Sequence, residues 1–118
     1  MSLMNKTGLY IHVPFCSSKC NYCDFNSYVG KLDLAEEYFD CMKKEIDLYR
    51  DEMVFNQIGT IFIGGGTPSC VEHRFIGEIL NYARERYVVS EPCEITIESN
   101  PGTLTEEKLK AYRQYGIN

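Results

Sequence analysis

Cys16, Cys20 and Cys23 stand in the pattern C-x3-C-x2-C, close enough in the chain for three thiolates to converge on one centre. Thiolates select zinc, copper(I) or iron–sulfur clusters. A structural zinc takes four protein ligands, and the nearest further candidate is His12, whose direction is fixed by the strand that carries it. A [4Fe–4S] cluster held by three cysteines would instead keep one iron open to an exogenous ligand, where substrate chemistry can occur. The neighbours suit a loop wrapped around such a centre: Pro14 fixes the entry, Ser17 and Ser18 are small, and Phe15, Tyr22 and Phe25 can keep water away. Cys41, Cys70 and Cys93 are scattered and are expected to be small buried or half-buried residues rather than ligands.

Two other stretches could do chemistry. Gly64-Gly65-Gly66-Thr67-Pro68 permits close backbone approach to a ligand, and exposed N–H groups there could hold a carboxylate or phosphate. Its spacing matches neither the dinucleotide nor the P-loop fingerprint, so a plain tight turn is the competing reading. Glu98, at the end of an alternating run and followed by Ser99-Asn100-Pro101, reads as a ligand contact rather than an ordinary surface acid.

The elements that must position these residues repeat three times. Leu9, Ile11 and Val13 alternate with Gly8, Tyr10 and His12, which predicts a strand over 7–13 ended by Pro14. The polar stretch 26–31 reads as loop. Asp33 and Glu36 then make a capping box for a helix whose stripe is Leu34, Tyr38, Met42, Ile46 and Tyr49. A β-branched strand over 58–63 runs into the glycines, and Ser69 is expected to cap a helix carrying Phe75, Ile76, Ile79, Leu80, Ala83 and Tyr87. A third strand over 93–99 leads through a turn at 100–102 to a helix capped by Thr105, with Leu104 and Leu109 as a hydrophobic staple.

Three strand–helix units without a hairpin signal predict an α/β fold with a parallel sheet and right-handed crossovers. In such sheets the working surface is the carboxyl edge of the strands, where the cysteine loop, the glycine run and Glu98 all fall. The third strand alternates Ile95 and Ile97 with Glu94, Thr96 and Glu98, although parallel strands are usually apolar on both faces. One sheet face should therefore line a polar cavity, or else lie open to solvent.

The totals narrow the partners. With 118 residues, 44% hydrophobic and 13% aromatic, the chain can build one core. Twelve basic against 17 acidic residues give −5 and no basic cluster, which argues against nucleic acid. No apolar run approaches the ~20 residues of a membrane span and no secretory leader is evident, so a cytoplasmic location and reduced cysteines are expected. Met1-Ser2-Leu3 ahead of Met4 reads as a vector-derived start.

CSSKCNYC, GGGTP after the second strand and ESNP after the third resemble the radical S-adenosylmethionine (radical SAM) superfamily, and YIHVPFCSSKCNYCDF is similar to its oxygen-independent coproporphyrinogen III oxidase branch. The resemblance implies that Cys16, Cys20 and Cys23 each bind one iron of a [4Fe–4S] cluster, the fourth iron chelating S-adenosylmethionine. It further implies Tyr10 near that cofactor, Tyr22 against its adenine, Gly65, Gly66 and Thr67 at its methionine end, and Glu98 in contact with the same molecule. The implied reaction is one-electron reduction of the sulfonium, releasing methionine and a 5′-deoxyadenosyl radical. Within the branch, the oxidases place another cysteine two positions after the third ligand, where this chain has Asp24-Phe25. That departure resembles the HemW-type haem chaperones, which bind haem and pass it on; genuine coproporphyrinogen decarboxylation is the alternative, and a structural zinc or metal-free binding module a second.

Cores of this superfamily hold about six strand–helix units and this chain has three, so residues 4–118 are expected to be the N-terminal portion of a (β/α)6 partial TIM barrel. Such a portion should lack the full activity and self-associate through exposed strand edges.

Overall fold

The computed structural model describes residues 5–16, 28–29, 34–54 and 56–118. Their order is β1 (Asn5–Val13), β2 (Phe15–Cys16), β3 (Tyr28–Val29), α1 (Ala35–Leu48), β4 (Asn56–Gly65), α2 (His73–Arg86), β5 (Val88–Ile97) and α3 (Glu106–Gln114). β1, β4 and β5 form a parallel sheet in that spatial order, with β4 at the centre, and β2 pairs with β3 in a separate two-stranded parallel ladder. The α/β class and the three strand–helix units are as the sequence predicts. The β3 pair falls inside the stretch expected to be loop, and two residues are too few to carry a periodic signal.

Register explains the two faces of the sheet. Leu9 pairs with Ile61 and Ile61 with Ile95; Ile11 pairs with Ile63 and Ile63 with Ile97. These rows face the helices, and Ile11, Ile61, Ile63 and Ile95 are all buried. The alternate row, Tyr10–Phe62–Thr96, lies on the opposite face, where Tyr10 is 56% and Phe62 40% exposed. α2 supplies most of the helical side of the core: Phe75, Ile76, Ile79, Leu80, Ala83 and then Tyr87 are buried, as their 3.6-residue spacing requires. Each large aliphatic side chain so buried contributes roughly 1.5–3 kcal/mol.

Several local expectations are corrected. α1 buries Ala35, Phe39 and Ile46, while Leu34 and Tyr49, the ends of the expected stripe, are 43% and 49% exposed. The true contact line is rotated toward Phe39, whose ring stacks on Phe75 of α2 with centroids 5.3 Å apart. Asp33 lies outside the described residues, and Leu34 occupies the N-cap without a side-chain hydrogen bond. Ser69 does not cap α2; it sits in a 3-10 turn, Pro68–Cys70, and Glu72 holds the N-cap position. Thr105 does cap α3, accepting from Lys108 N–H at 3.1 Å. Leu109 is 54% exposed, so little of the Leu104–Leu109 staple is realised. Cys70 and Cys93 are half-buried as expected, whereas Cys41 is exposed on α1.

Candidate functional site

The carboxyl edge of the sheet gathers the three unusual stretches through backbone bonds. β1 and β4 stay paired to their ends, His12 opposite Gly64 and Val13 opposite Gly65. The chain beyond them remains in register: Gly66 N–H donates to the Val13 carbonyl at 2.9 Å and Thr67 N–H to the Phe15 carbonyl at 2.7 Å. The residue that opens the cysteine loop, Cys16, therefore starts directly beside the glycine run. From the other side, Glu98 N–H donates to the Ile63 carbonyl at 2.9 Å, bringing its carboxylate over the same glycines.

The Glu98 carboxylate accepts a hydrogen bond from Gly65 N–H at 3.2 Å. Tyr10, His12, Gly65 and Glu98 line one depression of about 250 Å³. Tyr10 stands between His12, at a centroid distance of 6.1 Å, and Phe62, at 5.8 Å with nearly parallel rings. Among the described residues no lysine or arginine lines this depression, so the Glu98 carboxylate suits a ligand presenting positive charge or hydroxyl groups.

Glycine is required here for two different reasons. Gly65 has φ +125°, and a Cβ there would come 2.8 Å from the Val13 carbonyl oxygen. Gly64 has no such backbone constraint, but its Cβ would run into the Glu98 carboxylate, lie 2.8 Å from the Phe62 ring and 3.0 Å from the Tyr10 hydroxyl. Gly64 thus lets the Glu98, Phe62 and Tyr10 side chains close over the backbone beside the depression. The free N–H groups expected at the glycine run are not there: those of Gly65, Gly66 and Thr67 are all engaged. An anion cradle of the P-loop kind is excluded for these three, because the parallel ladder continues through the glycines instead of releasing them.

Of the residues singled out by sequence, the fold brings Tyr10, Gly65 and Glu98 together, with Gly66 and Thr67 joined to the same edge by backbone. Cys16 lies at the edge in β2, while Tyr22, Cys20 and Cys23 lie outside the described residues. Among the described residues no three His, Cys, Asp or Glu side chains are placed to hold a metal ion, and His12 meets Tyr10 and Gly65. Burial pushes the Cys93 thiol up, which disfavours the thiolate a ligand would need. Phe62 was missed: its phase relative to Thr60 and Gly64 places it on the Tyr10 face, but an apolar residue in an apolar strand gave no reason to look. Among the described residues, no helix is long and apolar enough to cross a membrane.

A parallel sheet with its chemistry at the carboxyl edge, a glycine run and a cysteine-opened loop define a class, and comparison with known proteins agrees. The sequence profile of the Radical SAM superfamily matches residues 10–118, and the chain belongs to that superfamily. More particularly, it is 43% identical over 114 residues to the heme chaperone HemW of Buchnera aphidicola subsp. Acyrthosiphon pisum and 37% identical over 112 residues to that of Escherichia coli. Each match covers 94% of this chain and 30% of the relative. The coproporphyrinogen III oxidase HemN of Escherichia coli, described as a radical SAM enzyme, superposes with a TM-score of 0.90 at 28% identity, covering 98% of this chain and 26% of that one. The fold is accordingly that of part of a radical SAM barrel, and the chain spans about 30% of the length of the curated relatives it matches.

Proposed function

We propose that this chain is the cofactor-binding portion of a HemW-like protein, holding a [4Fe–4S] cluster through Cys16, Cys20 and Cys23 and S-adenosylmethionine along the glycine edge. The observation that carries the reading is the Glu98 carboxylate held over the glycine run, beside Tyr10 and His12, at the edge from which the Cys16 loop departs. The donor set fits the cofactor. Glu98 can accept from ribose hydroxyls or face the sulfonium side of the ligand, Tyr10 offers a hydroxyl and an aromatic face, and Gly64, lacking a Cβ, lets the Glu98 carboxylate and the Tyr10 hydroxyl come close over the backbone. Tyr22 would lie against the adenine, and Gly66 and Thr67, whose N–H groups are engaged, would meet the methionine end through carbonyl or side-chain oxygens.

When bound, the cluster and S-adenosylmethionine supply one-electron chemistry that no protein side chain offers. What this chain's residues would do is narrower: they orient the ligand and hold the Glu98 carboxylate aimed across the glycine edge through Gly65 N–H. We place the protein in the cytoplasm, a compartment in which cysteines stay reduced. Residues 4–118 then form the N-terminal portion of the core domain.

For the whole protein we favour haem transfer over porphyrinogen decarboxylation, because Asp24-Phe25 follows Cys23 and the curated relatives quoted above carry the heme chaperone name. Anaerobically reconstituted chain titrated with S-adenosylmethionine in a calorimeter should bind one equivalent, and Glu98→Gln should weaken binding about tenfold, as loss of a charge-assisted contact does. Unchanged affinity in Glu98→Gln would remove that residue from the site. The full-length parent should bind haem and leave coproporphyrinogen unconsumed; turnover would favour the oxidase reading.

A further inference from the structure

Behind the edge, a second cluster joins the loop after β4 to the loop after β5. Lys108, on the first turn of α3, sends its ammonium group back to the Ser69 carbonyl at 2.5 Å and the Thr103 carbonyl at 3.0 Å. The Ser69 hydroxyl, fully buried, hydrogen-bonds the Thr103 hydroxyl and accepts from Asn100 N–H at 3.2 Å. Thr103 in turn donates from its hydroxyl to the Asn100 carbonyl at 2.8 Å. Ser69 lies just after the glycine run and Asn100 just after Glu98, so these bonds connect the two segments whose other ends meet at Gly65 and Glu98.

We propose that Lys108, with Ser69 and Thr103, is a positioning clamp that fixes the glycine loop against the Glu98 loop and so holds the Glu98 carboxylate on Gly65 N–H in the geometry the ligand requires. A lysine is suited to this. Its compact cation has three donors and can take carbonyls from two separate loops, and charge-assisted bonds to half-buried carbonyls are stronger than neutral ones. Neither Ser69 nor Lys108 lines the depression; they act through the backbone on either side of it. The ligand arm of this proposal rests on the reading of Glu98 as a cofactor contact, whereas the clamp itself does not.

The test reads the Gly65 amide in the ligand-free chain by proton–nitrogen correlation spectra from about pH 7 to about pH 3. The amide proton should move with Glu98 ionisation, since a hydrogen bond to an ionised acceptor is the stronger one. Glu98→Gln gives the baseline, including any contribution from the adjoining His12 ring. Lys108→Met, which keeps the alkyl stem, should cut the amplitude of that titration by about half or more, and Lys108→Arg should restore most of it. Ser69→Ala, which leaves the carbonyl Lys108 uses, should act in the same direction but less. A cluster that merely stabilises the fold would lower the melting temperature and leave the Gly65 titration intact, and that result in Lys108→Met overturns the proposal. In parallel, S-adenosylmethionine affinity should fall about tenfold in Lys108→Met and recover in Lys108→Arg, in line with supporting-residue effects elsewhere. If the wild-type chain fails to bind S-adenosylmethionine, the cofactor reading falls, and the clamp still stands or falls on the amide.

Discussion

Gly64→Ala and Gly65→Ala should damage the protein by different routes, and the contrast tests the geometry of the edge. At Gly64 the backbone accepts alanine, and the new Cβ meets side chains: the Glu98 carboxylate, the Phe62 ring at 2.8 Å and the Tyr10 hydroxyl at 3.0 Å. Carbon contacts relax to about 3.5–4.0 Å, so the Phe62 ring and Tyr10 hydroxyl must yield by up to ~1 Å and the Glu98 carboxylate by more. Overpacking of this kind costs about 1–3 kcal/mol, and losing the Gly65–Glu98 hydrogen bond about 1 kcal/mol more. The smaller unfolded-state entropy of alanine returns about 0.4–1 kcal/mol, leaving a net loss of about 1–3.6 kcal/mol. At Gly65 the strain is in the backbone. A φ of +125° costs a residue with a Cβ about 1–3 kcal/mol, and the Val13 carbonyl 2.8 Å away is main chain of β1, which cannot rotate aside. Thermal melts should therefore rank wild type above Gly64→Ala and Gly64→Ala above Gly65→Ala. S-adenosylmethionine titration should show Gly64→Ala already about tenfold or more weaker, since a misplaced contact group loses that much. A Gly64→Ala chain that melts like wild type and binds with wild-type affinity would refute the placement of Glu98 over Gly64.

Further outcomes follow from the core and the edges. Ile79→Ala, at a site with no exposed surface, should cost about 2–5 kcal/mol in denaturant unfolding; a loss below ~1 kcal/mol would mean α2 does not pack as described. Tyr112 is buried, its hydroxyl has no partner among the described residues, and burial pushes its pKa up to about 12. A raised folded-state value means the stabilisation is complete below the ordinary tyrosine value near 10 and is lost as pH rises through about 12. The gap corresponds to roughly 2–3 kcal/mol. Tyr112→Phe should be neutral or stabilising at pH 7 and should flatten that alkaline decline in melts; an unchanged profile would contradict it. Because β1 and β5 are both edge strands, sedimentation should show concentration-dependent self-association, and a strictly monomeric, sharply cooperative chain would contradict that expectation.

Most of the architecture was legible because three signals coincided: β-branched alternation in β1, β4 and β5, glycine or proline at each strand end, and a 3.6-residue stripe in α2. The misreadings share a cause. Ser69 has the side chain of a cap and the position of one, but the 3-10 turn of Pro68–Cys70 intervenes and turns its hydroxyl toward Asn100 and Thr103. The N–H groups of Gly65, Gly66 and Thr67 looked free because sequence shows no partner, whereas their acceptors, the Glu98 carboxylate and the Val13 and Phe15 carbonyls, lie far away in the chain. Lys108 was invisible for the same reason: a lysine on an amphipathic helix is ordinarily solvated, and only the fold shows two loop carbonyls beneath it. In α1 the stripe drawn through Leu34 and Tyr49 left out Phe39, which the stacked contact with Phe75 makes the centre of the helix–helix interface. Local period tells which residues share a face; it does not tell what that face meets.

The central claim is the cluster, and iron uptake tests it most directly. Anaerobic reconstitution with ferrous iron and sulfide should give a brown chain with about four irons and four sulfides, and Cys20→Ala should lose both the colour and the iron. Stoichiometric zinc with no iron uptake, or full iron content retained in Cys20→Ala, would contradict the assignment of Cys16, Cys20 and Cys23 as the cluster ligands.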